Sequence, residues 1–414
     1  MGNSKLVCAL AFVPVLLAAS VILQSSTEQA TPHTLTVPDD YPTIQTAVGN
    51  ASNGDTVYVK NGVYGGQDGN HWLTIDKSIN LIGQDNQQTI IRPPLEKVQG
   101  EYIIKVTADD VTISGIRIQG PNWAPTGIMI ARAENTPPKN IQILNCFIEN
   151  CSNAMMLDGS NIKVDRNYLI DNGWGVRNEA SNVTISNNLI EDNSIEIGQA
   201  IPGGTAQDSC YVYGNLISQN YEGGIVLAGG PHYIYNNNIT NNPGYGILFG
   251  GNKANVYGNE ISFNGIAIKT ISIEGSGKDN YIYGNNFIEN LVSSSLADPT
   301  TNWMTQALMQ PVTLFLDKDN QGNYWSSNYG NGSYLVGDTT HILYDYYPLS
   351  QPVNIDSSGI TSLPTLTPTN QTPTADSGNW MIDITIIAVS SLIIICVAVT
   401  WILFSRRKNK HSIK

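Results

Sequence analysis

Residues 210–220 read CYVYGNLISQN, residues 232–242 read HYIYNNNITNN, and residues 254–264 read ANVYGNEISFN. Aligned on the central Asn, the three stretches share a Val or Ile three before it, a Tyr two before it, an Ile two after it and a second Asn five after it. Following that Asn outward gives Asn167, Asn188, Asn215, Asn237, Asn259 and Asn285, at steps of 21, 27, 22, 22 and 26 residues. Three residues before each stands Val164, Ile185, Val212, Ile234, Val256 or Ile282, and two after each stands Leu169, Ile190, Ile217, Ile239, Ile261 or Phe287. Five residues after each comes a second Asn: Asn172, Asn193, Asn220, Asn242, Asn264 or Asn290. A Gly/Ile element such as Gly224-Ile225 or Gly246-Ile247 follows, and upstream the same frame reaches Cys146 and then Ile116.

A unit of about 22 residues with this pattern is three very short strands separated by bends. Alternating apolar positions point inward, because side chains alternate across a strand. Stacking the units pairs every strand in parallel with its neighbours, and Asn at each bend stacks on Asn of the next coil. The expected fold is therefore all-β, a right-handed, single-stranded parallel β-helix solenoid. Its ends need covering, since terminal coils expose core and strand edges. Asp39 to Asn50 (DDYPTIQTAVGN) reads as an N-terminal capping helix, and Leu291 to Leu349 breaks the frame and reads as the C-terminal cap. Cys146 and Cys151 take both Asn positions of one coil, too far apart along a strand to pair with each other. With Cys210, they read as small buried residues.

The 414 residues carry only 13% charged side chains and a net charge of -13, with 38 glycines. No basic stripe exists, so nucleic acid is not an expected partner. Residues 1–30 hold Lys5 and an apolar run from Leu6 to Leu23, which reads as a signal peptide or an uncleaved N-terminal anchor. Residues 31–352 are the β-helix with its caps, and 353–379 are a Pro/Thr/Ser-rich spacer. Residues 380–404 read as a transmembrane helix, uncharged over the 21 residues from Ile384 to Phe404, with Trp380 and Trp401 near its two ends. The basic tail 405–414 is expected in the cytoplasm by the positive-inside rule, which leaves the large domain outside the cell. Sequons at Asn50, Asn150, Asn182, Asn238, Asn331 and Asn370 suit a glycoprotein.

The opening VPDDYPTIQTAVGNASNGDTVYVKNGVY with LTIDKSINLIGQD resembles the N-terminal coils of the pectin-lyase-like superfamily. GNYWSSNYGNG (322–332) and GDTTHILYDYYPL (337–349) resemble the end of NosD-like proteins, periplasmic copper-binding type β-helices with carbohydrate-binding and sugar-hydrolysis repeats. The resemblance covers Thr36 to about Pro352. It implies the fold and leaves the activity open, because this architecture carries many functions.

Sugar cleavage on such a scaffold needs paired carboxylates, or a basic proton acceptor, at one place on a coil face. The segments resembling pectinesterase, polygalacturonase or epimerase motifs are missing. Asp165, Arg166, Glu191 and Asp192 remain as catalytic candidates, which coil stacking is expected to bring together; a solvated face with cross-coil ion pairs is the plainer reading. The histidines are scattered and His232 sits next to the core, so neither a metal nor another cofactor is expected. The stronger signal is aromatic. Tyr213, Tyr235, Tyr257 and Tyr283 stand two residues before the ladder Asn, and Tyr211, Tyr233 and Tyr281 four before. These positions alternate with the inward Val/Ile, so the tyrosines face outward in two columns and offer aromatic surface to sugar rings.

The sequence thus leads to a cell-surface protein that binds carbohydrate or cell-envelope glycan without catalysis. The alternatives are a polysaccharide lyase or hydrolase of the pectin-lyase-like superfamily and a purely structural envelope protein. The topology is directly testable. Protease added to intact cells should release the ectodomain by cutting within 357–378 and leave the tail protected; loss of the tail without lysis contradicts the orientation.

Overall fold

The computed structural model describes residues 31–65, 73–93, 101–121, 125–132, 136–193, 197–198, 209–270, 279–295, 314–326, 333–335 and 344–355. Three parallel sheets run the length of this region. The first has 12 strands, from Thr34–Val37 to Leu314–Phe315. The second has 11, from Gly62–Tyr64 to Tyr324–Trp325, and the third has 10, from Leu73–Ile75 to Val292–Ser295. The chain visits the three in turn, so each strand pairs with the one a coil earlier and a coil later. Val164, Ile185, Val212, Ile234, Val256 and Ile282 succeed one another in register, as do Leu169, Ile190, Ile217, Ile239, Ile261 and Phe287. Both rows are buried in one continuous core. At about 1.5–3 kcal/mol per fully buried Ile, Val or Leu side chain, these rows are the main attraction between coils.

The two Asn columns hold the bends. Between the first and second sheets, Asn188 donates both its backbone N–H and a side-chain N–H to Oδ1 of Asn215, at 2.9 Å each. Asn215 does the same to Asn237, Asn237 to Asn259, and Asn259 to Asn285. The remaining amide N–H reaches back to a carbonyl of the previous coil, such as Val212 O, 2.8 Å from Asn237. The second column, Asn172 to Asn290, repeats the scheme between the second and third sheets. The Asn-to-Asn bonds all run in one direction, each donated toward the C-terminal coil. Residues that precede the columns, including Asn187, Asn236, Gly258, Asp192 and Phe263, take positive φ, so the left-handed residue lies one position before the ladder Asn. Cys146 and Cys151 start the columns, each backbone N–H donating to the Asn of the next coil. Cys146, Cys151 and Cys210 are buried free thiols, and burial pushes the thiols of Cys146 and Cys210 up to about 12.

Two expectations change at the ends. The helix covers only Ile44–Asn50, with the Thr43 hydroxyl accepting the Thr46 N–H; the Asp40 carboxylate instead accepts Thr36 N–H in a preceding turn. Ile44, Ala47 and Val48 on this helix are buried in the core. At the other end the frame does not break at Leu291. Asn285 donates to Asn323, 38 residues on, and Trp325 stacks on Phe287 at 4.1 Å as the next residue in that inward row. The last Asn then meets a carboxylate. Asp345, fully buried, accepts N–H bonds from Asn323, the Trp325 indole and Tyr347. Burial pushes its carboxyl up against the pull of those donors. Among the described residues no helix is long and apolar enough to cross a membrane; residues 1–30, the spacer beyond 355, the expected span 380–404 and the tail lie outside them.

The ladder sets a stability test. Asn237→Ala strands two donors of Asn215, at about 1–3 kcal/mol for each unsatisfied buried group, and should lower the melting temperature strongly. Asn182→Gly, at an exposed position of positive φ where the amide makes one 3.3 Å bond to Asn161, should change it little. Equal effects contradict a buried, fully bonded ladder.

Candidate functional site: the outer face of the first sheet

Two outward rows run along the first sheet. One is Leu144, Asp165, Ser186, Tyr213, Tyr235, Tyr257, Tyr283. The other is Lys163, Thr184, Tyr211, Tyr233, Asn255, Tyr281, Phe315. The strand period and the coil repeat together make such rows unavoidable: one position per coil, always on the same face.

The tyrosines lie flat on one another. Ring centres are 4.9 Å apart for Tyr213–Tyr235, 5.2 Å for Tyr235–Tyr257 and 5.4 Å for Tyr257–Tyr283, with interplanar angles of 13°, 5° and 15°. In the other row Tyr211 and Tyr233 stack at 5.0 Å, and Tyr281 stacks on Phe315 at 5.1 Å. The sequence places these residues correctly on the outer face, but most ring faces are covered by the neighbouring ring. What the middle of each row offers outward is ring edges and hydroxyls. Burial in the stack raises the phenol pKa of Tyr235, Tyr257 and Tyr283, so the hydroxyls remain protonated donors.

Free faces remain where a row starts. Among the described residues Tyr211 and Tyr213 each stack on a ring on one side only, and on the other side the next residues in register are Thr184 and Ser186. One coil further stand Lys163, Asp165 and Arg166. The result is a cross-wise trough with the Tyr211 and Tyr213 rings on one wall, the half-buried Thr184 on the floor and an ionic group on the far wall; the Ser186 hydroxyl is fully buried beneath it, donating to Asp165. Asp165 is 4% exposed and accepts bonds from Ser186 Oγ and Asn187 Nδ2, both at 2.8 Å. Lys163 Nζ lies 3.4 Å and an Arg166 guanidinium nitrogen 3.5 Å from its other oxygen, and both cations are well exposed. Burial opposes ionisation of Asp165, but the two hydrogen bonds and the two cations outweigh it and hold the carboxyl below the usual range.

Glu191 and Asp192 do not join this group. Glu191 belongs to the second sheet, where its Oε1 accepts from Ser218 Oγ at 2.9 Å and Gln219 Nε2 at 2.6 Å. Asp192 occupies the following bend, and burial, then Glu191 and Asp171, raise its pKa. Coil stacking aligns equivalent positions, and Asp165 and Glu191 are not equivalent, so the four candidates split into two sites. Asp165, paired and ionised, is a poor proton donor. Among the described residues no three His, Cys, Asp or Glu side chains converge as metal ligands. His232 is buried, with Nε2 3.0 Å from Ala228 O, and burial lowers its pKa. Sequence reasoning passed over Thr184 and Ser186; their signal is that the aromatic periodicity stops there.

The family model described as "Right handed beta helix region" matches residues 77–238. The fold is a right-handed parallel β-helix. Among solved structures, the chain is similar to ORF18 of Geobacillus virus E2 at 14% identity and a TM-score of 0.47, over 71% of this chain and 62% of that one. It is also similar to the A-module of the Azotobacter vinelandii mannuronan C-5 epimerase AlgE4 at 14% identity and a TM-score of 0.44, over 62% of this chain and 91% of that one. The alginate lyase of Paenibacillus sp. str. FPU-7 is similar at 14% identity and a TM-score of 0.43, over 63% and 99% respectively. No curated protein sequence matches. Likeness at this level concerns the coil architecture alone.

The ionic wall of the trough has a pH signature. With its folded pKa lowered, Asp165 contributes stability above the ordinary carboxylate range and loses it as pH falls through the folded value. The melting-temperature gap between the native protein and Asp165→Asn should therefore shrink on acidification. A gap independent of pH shows that the carboxylate is not held ionised by its neighbours.

Proposed function

We propose that the protein binds glycan without cleaving it, on the outer face of the first sheet, with a sugar ring seated in the trough at Thr184. The observation that carries this reading is the pair of faces, on Tyr211 and Tyr213, that no described ring covers, opposite Lys163, Asp165 and Arg166. Aromatic faces fit the C–H faces of a pyranose, while an ion pair and the Thr184 hydroxyl fit its rim. Seven candidate tyrosines do not contribute alike: Tyr211 and Tyr213 supply faces, while Tyr235, Tyr257 and Tyr283 supply edges. Catalysis is disfavoured because the carboxylates of Asp165 and Glu191 answer to different neighbours, and the one in the trough is ionised. The expected anchor would present this face outside the cell, joined to the membrane by the C-terminal helix.

The test is a glycan array with the soluble 31–352 fragment, alongside a reducing-end assay. Tyr211→Ala with Tyr213→Ala should weaken binding by more than about tenfold, as for central aromatic anchors. Tyr283→Ala should matter far less. Release of reducing ends that Asp165→Asn abolishes would instead make the protein an enzyme. Absence of any bound glycan would leave the stacked tyrosines a purely structural device of the envelope.

A further inference from the structure

The floor of the trough continues past Thr184 to the start of its strand. Ser181–Ser186 belongs to the first sheet, and along it Val183 and Ile185 are buried in the core while Asn182 and Thr184 face outward. Asn182 is exposed, with a φ of 51°, and stands at one end of the trough. Its Nδ2 makes one bond, 3.3 Å to Asn161 Oδ1, and the second N–H of that amide has no partner among the described residues. The Thr184 hydroxyl has none among them either.

The same two residues carry a modification signal, since Asn182-Val183-Thr184 is an N-x-Thr sequon. Of the sequons on described residues, Asn150 and Asn238 are only partly exposed, and Asn238 keeps its Oδ1 buried. Asn50 is exposed at the end of the capping helix, with its Nδ2 committed to Thr46 O at 2.8 Å. Asn182 is exposed, has an N–H to spare and lies on the trough. We propose that Asn182 is an N-glycosylation site, and that its first sugars lie over Thr184 against the Tyr211 and Tyr213 rings, so that the chain's own glycan fills the trough. The donor is an oligosaccharide held through its anomeric carbon on a membrane-lipid phosphate. The C1–O bond to that phosphate breaks, the Nδ2–C1 bond forms, one amide proton is lost, and the lipid phosphate leaves with the bonding electrons. The substituted amide keeps one N–H, which suffices for the bond to Asn161.

Reach is adequate. Asn182 and Thr184 are two residues apart along a strand, about 7 Å, and Tyr211 is one coil step beyond Thr184, about 4.8 Å. An Asn side chain bearing two pyranose rings covers that path. Tethering holds the sugar at an effective concentration on the order of millimolar, so the seat fills even where the free sugar binds weakly. The inference rests on the reading of the trough as a glycan site. It names the ligand of that site, an N-linked oligosaccharide on this same chain, and it admits free glycan only where Asn182 is bare.

Glycopeptide mass spectrometry of the full chain from its own cells should find an oligosaccharide on Asn182 in most molecules. The oligosaccharide released from that peptide is then titrated by calorimetry against the native chain and Asn182→Gly from those cells, and against the same pair made in a host that attaches no N-glycan. From the glycosylating cells, Asn182→Gly should bind at least about tenfold more tightly than the native chain. From the other host the two should bind alike, which separates loss of the glycan from any effect of the substitution on the fold. Tyr211→Ala with Tyr213→Ala in the Asn182→Gly chain should remove the binding. A bare Asn182 overturns the inference, as does a released oligosaccharide that binds both chains from the glycosylating cells alike or binds neither. The glycan array with unglycosylated chain decides the trough reading separately, so either can fail while the other stands or falls on its own result.

Discussion

A side-chain amide buried at a bend without water must find partners for two N–H bonds and an oxygen, and the adjacent coils are the nearest source. In this chain the Asn of one coil donates twice to the oxygen of the next and once to a carbonyl of the coil before. That arrangement requires the coils to be in register, because a slip by one residue turns every inward Val or Ile to the outside. The hydrophobic rows supply most of the attraction between coils. The amides supply the registration, since leaving one unpaired costs more than making it contributes. The outward rows follow from that registration: once coils are locked, one position of each repeat forms a straight line on the surface.

Most of the solenoid was therefore legible in the sequence. Asn237 and Ile234 recur at fixed offsets because neighbouring coils are nearly identical environments, and even the Cys146 and Cys151 substitutions kept the frame. The chain became opaque where the period was stretched. Asn323 and Trp325 continue the Asn and apolar columns, and Gly322-Asn323-Tyr324-Trp325 echoes Gly284-Asn285-Asn286-Phe287, but the 38-residue step from Asn285 hides the echo. Asp345 was invisible for a different reason. Nothing local marks a carboxylate as the terminal acceptor of an amide column; only the fold brings it to Asn323.

The candidate site was legible in part. Alternation within a strand put Tyr211, Tyr213, Tyr233 and Tyr235 on the outside, and they are there. Alternation does not say how rings orient toward each other. At one coil step, rings of this size meet face to face, which changes what the surface can recognise. A regular aromatic array is thus chemically quietest where it is most regular. Its distinct positions are Thr184, Ser186 and Asn255, the small residues that look like lapses in the pattern. The acidic candidates show the complementary error: Asp165 and Glu191 lie near each other in sequence count, but the bend between them assigns each to its own sheet.

The uniform direction of the amide columns makes the two ends of the molecule unlike. Each Asn receives from the N-terminal side and gives to the C-terminal side, so the small dipoles add in one sense and the far end is left with N–H groups to satisfy. A backbone N–H of Cys146 suffices to start the column, whereas Asn323 ends against the carboxylate of Asp345. Interior coils carry no such demand, since each accepts what the previous one offers and offers the same to the next. The gene can accordingly lengthen or shorten this protein by whole coils in the middle, at the cost of one new seam, while the first and last coils have to be inherited intact.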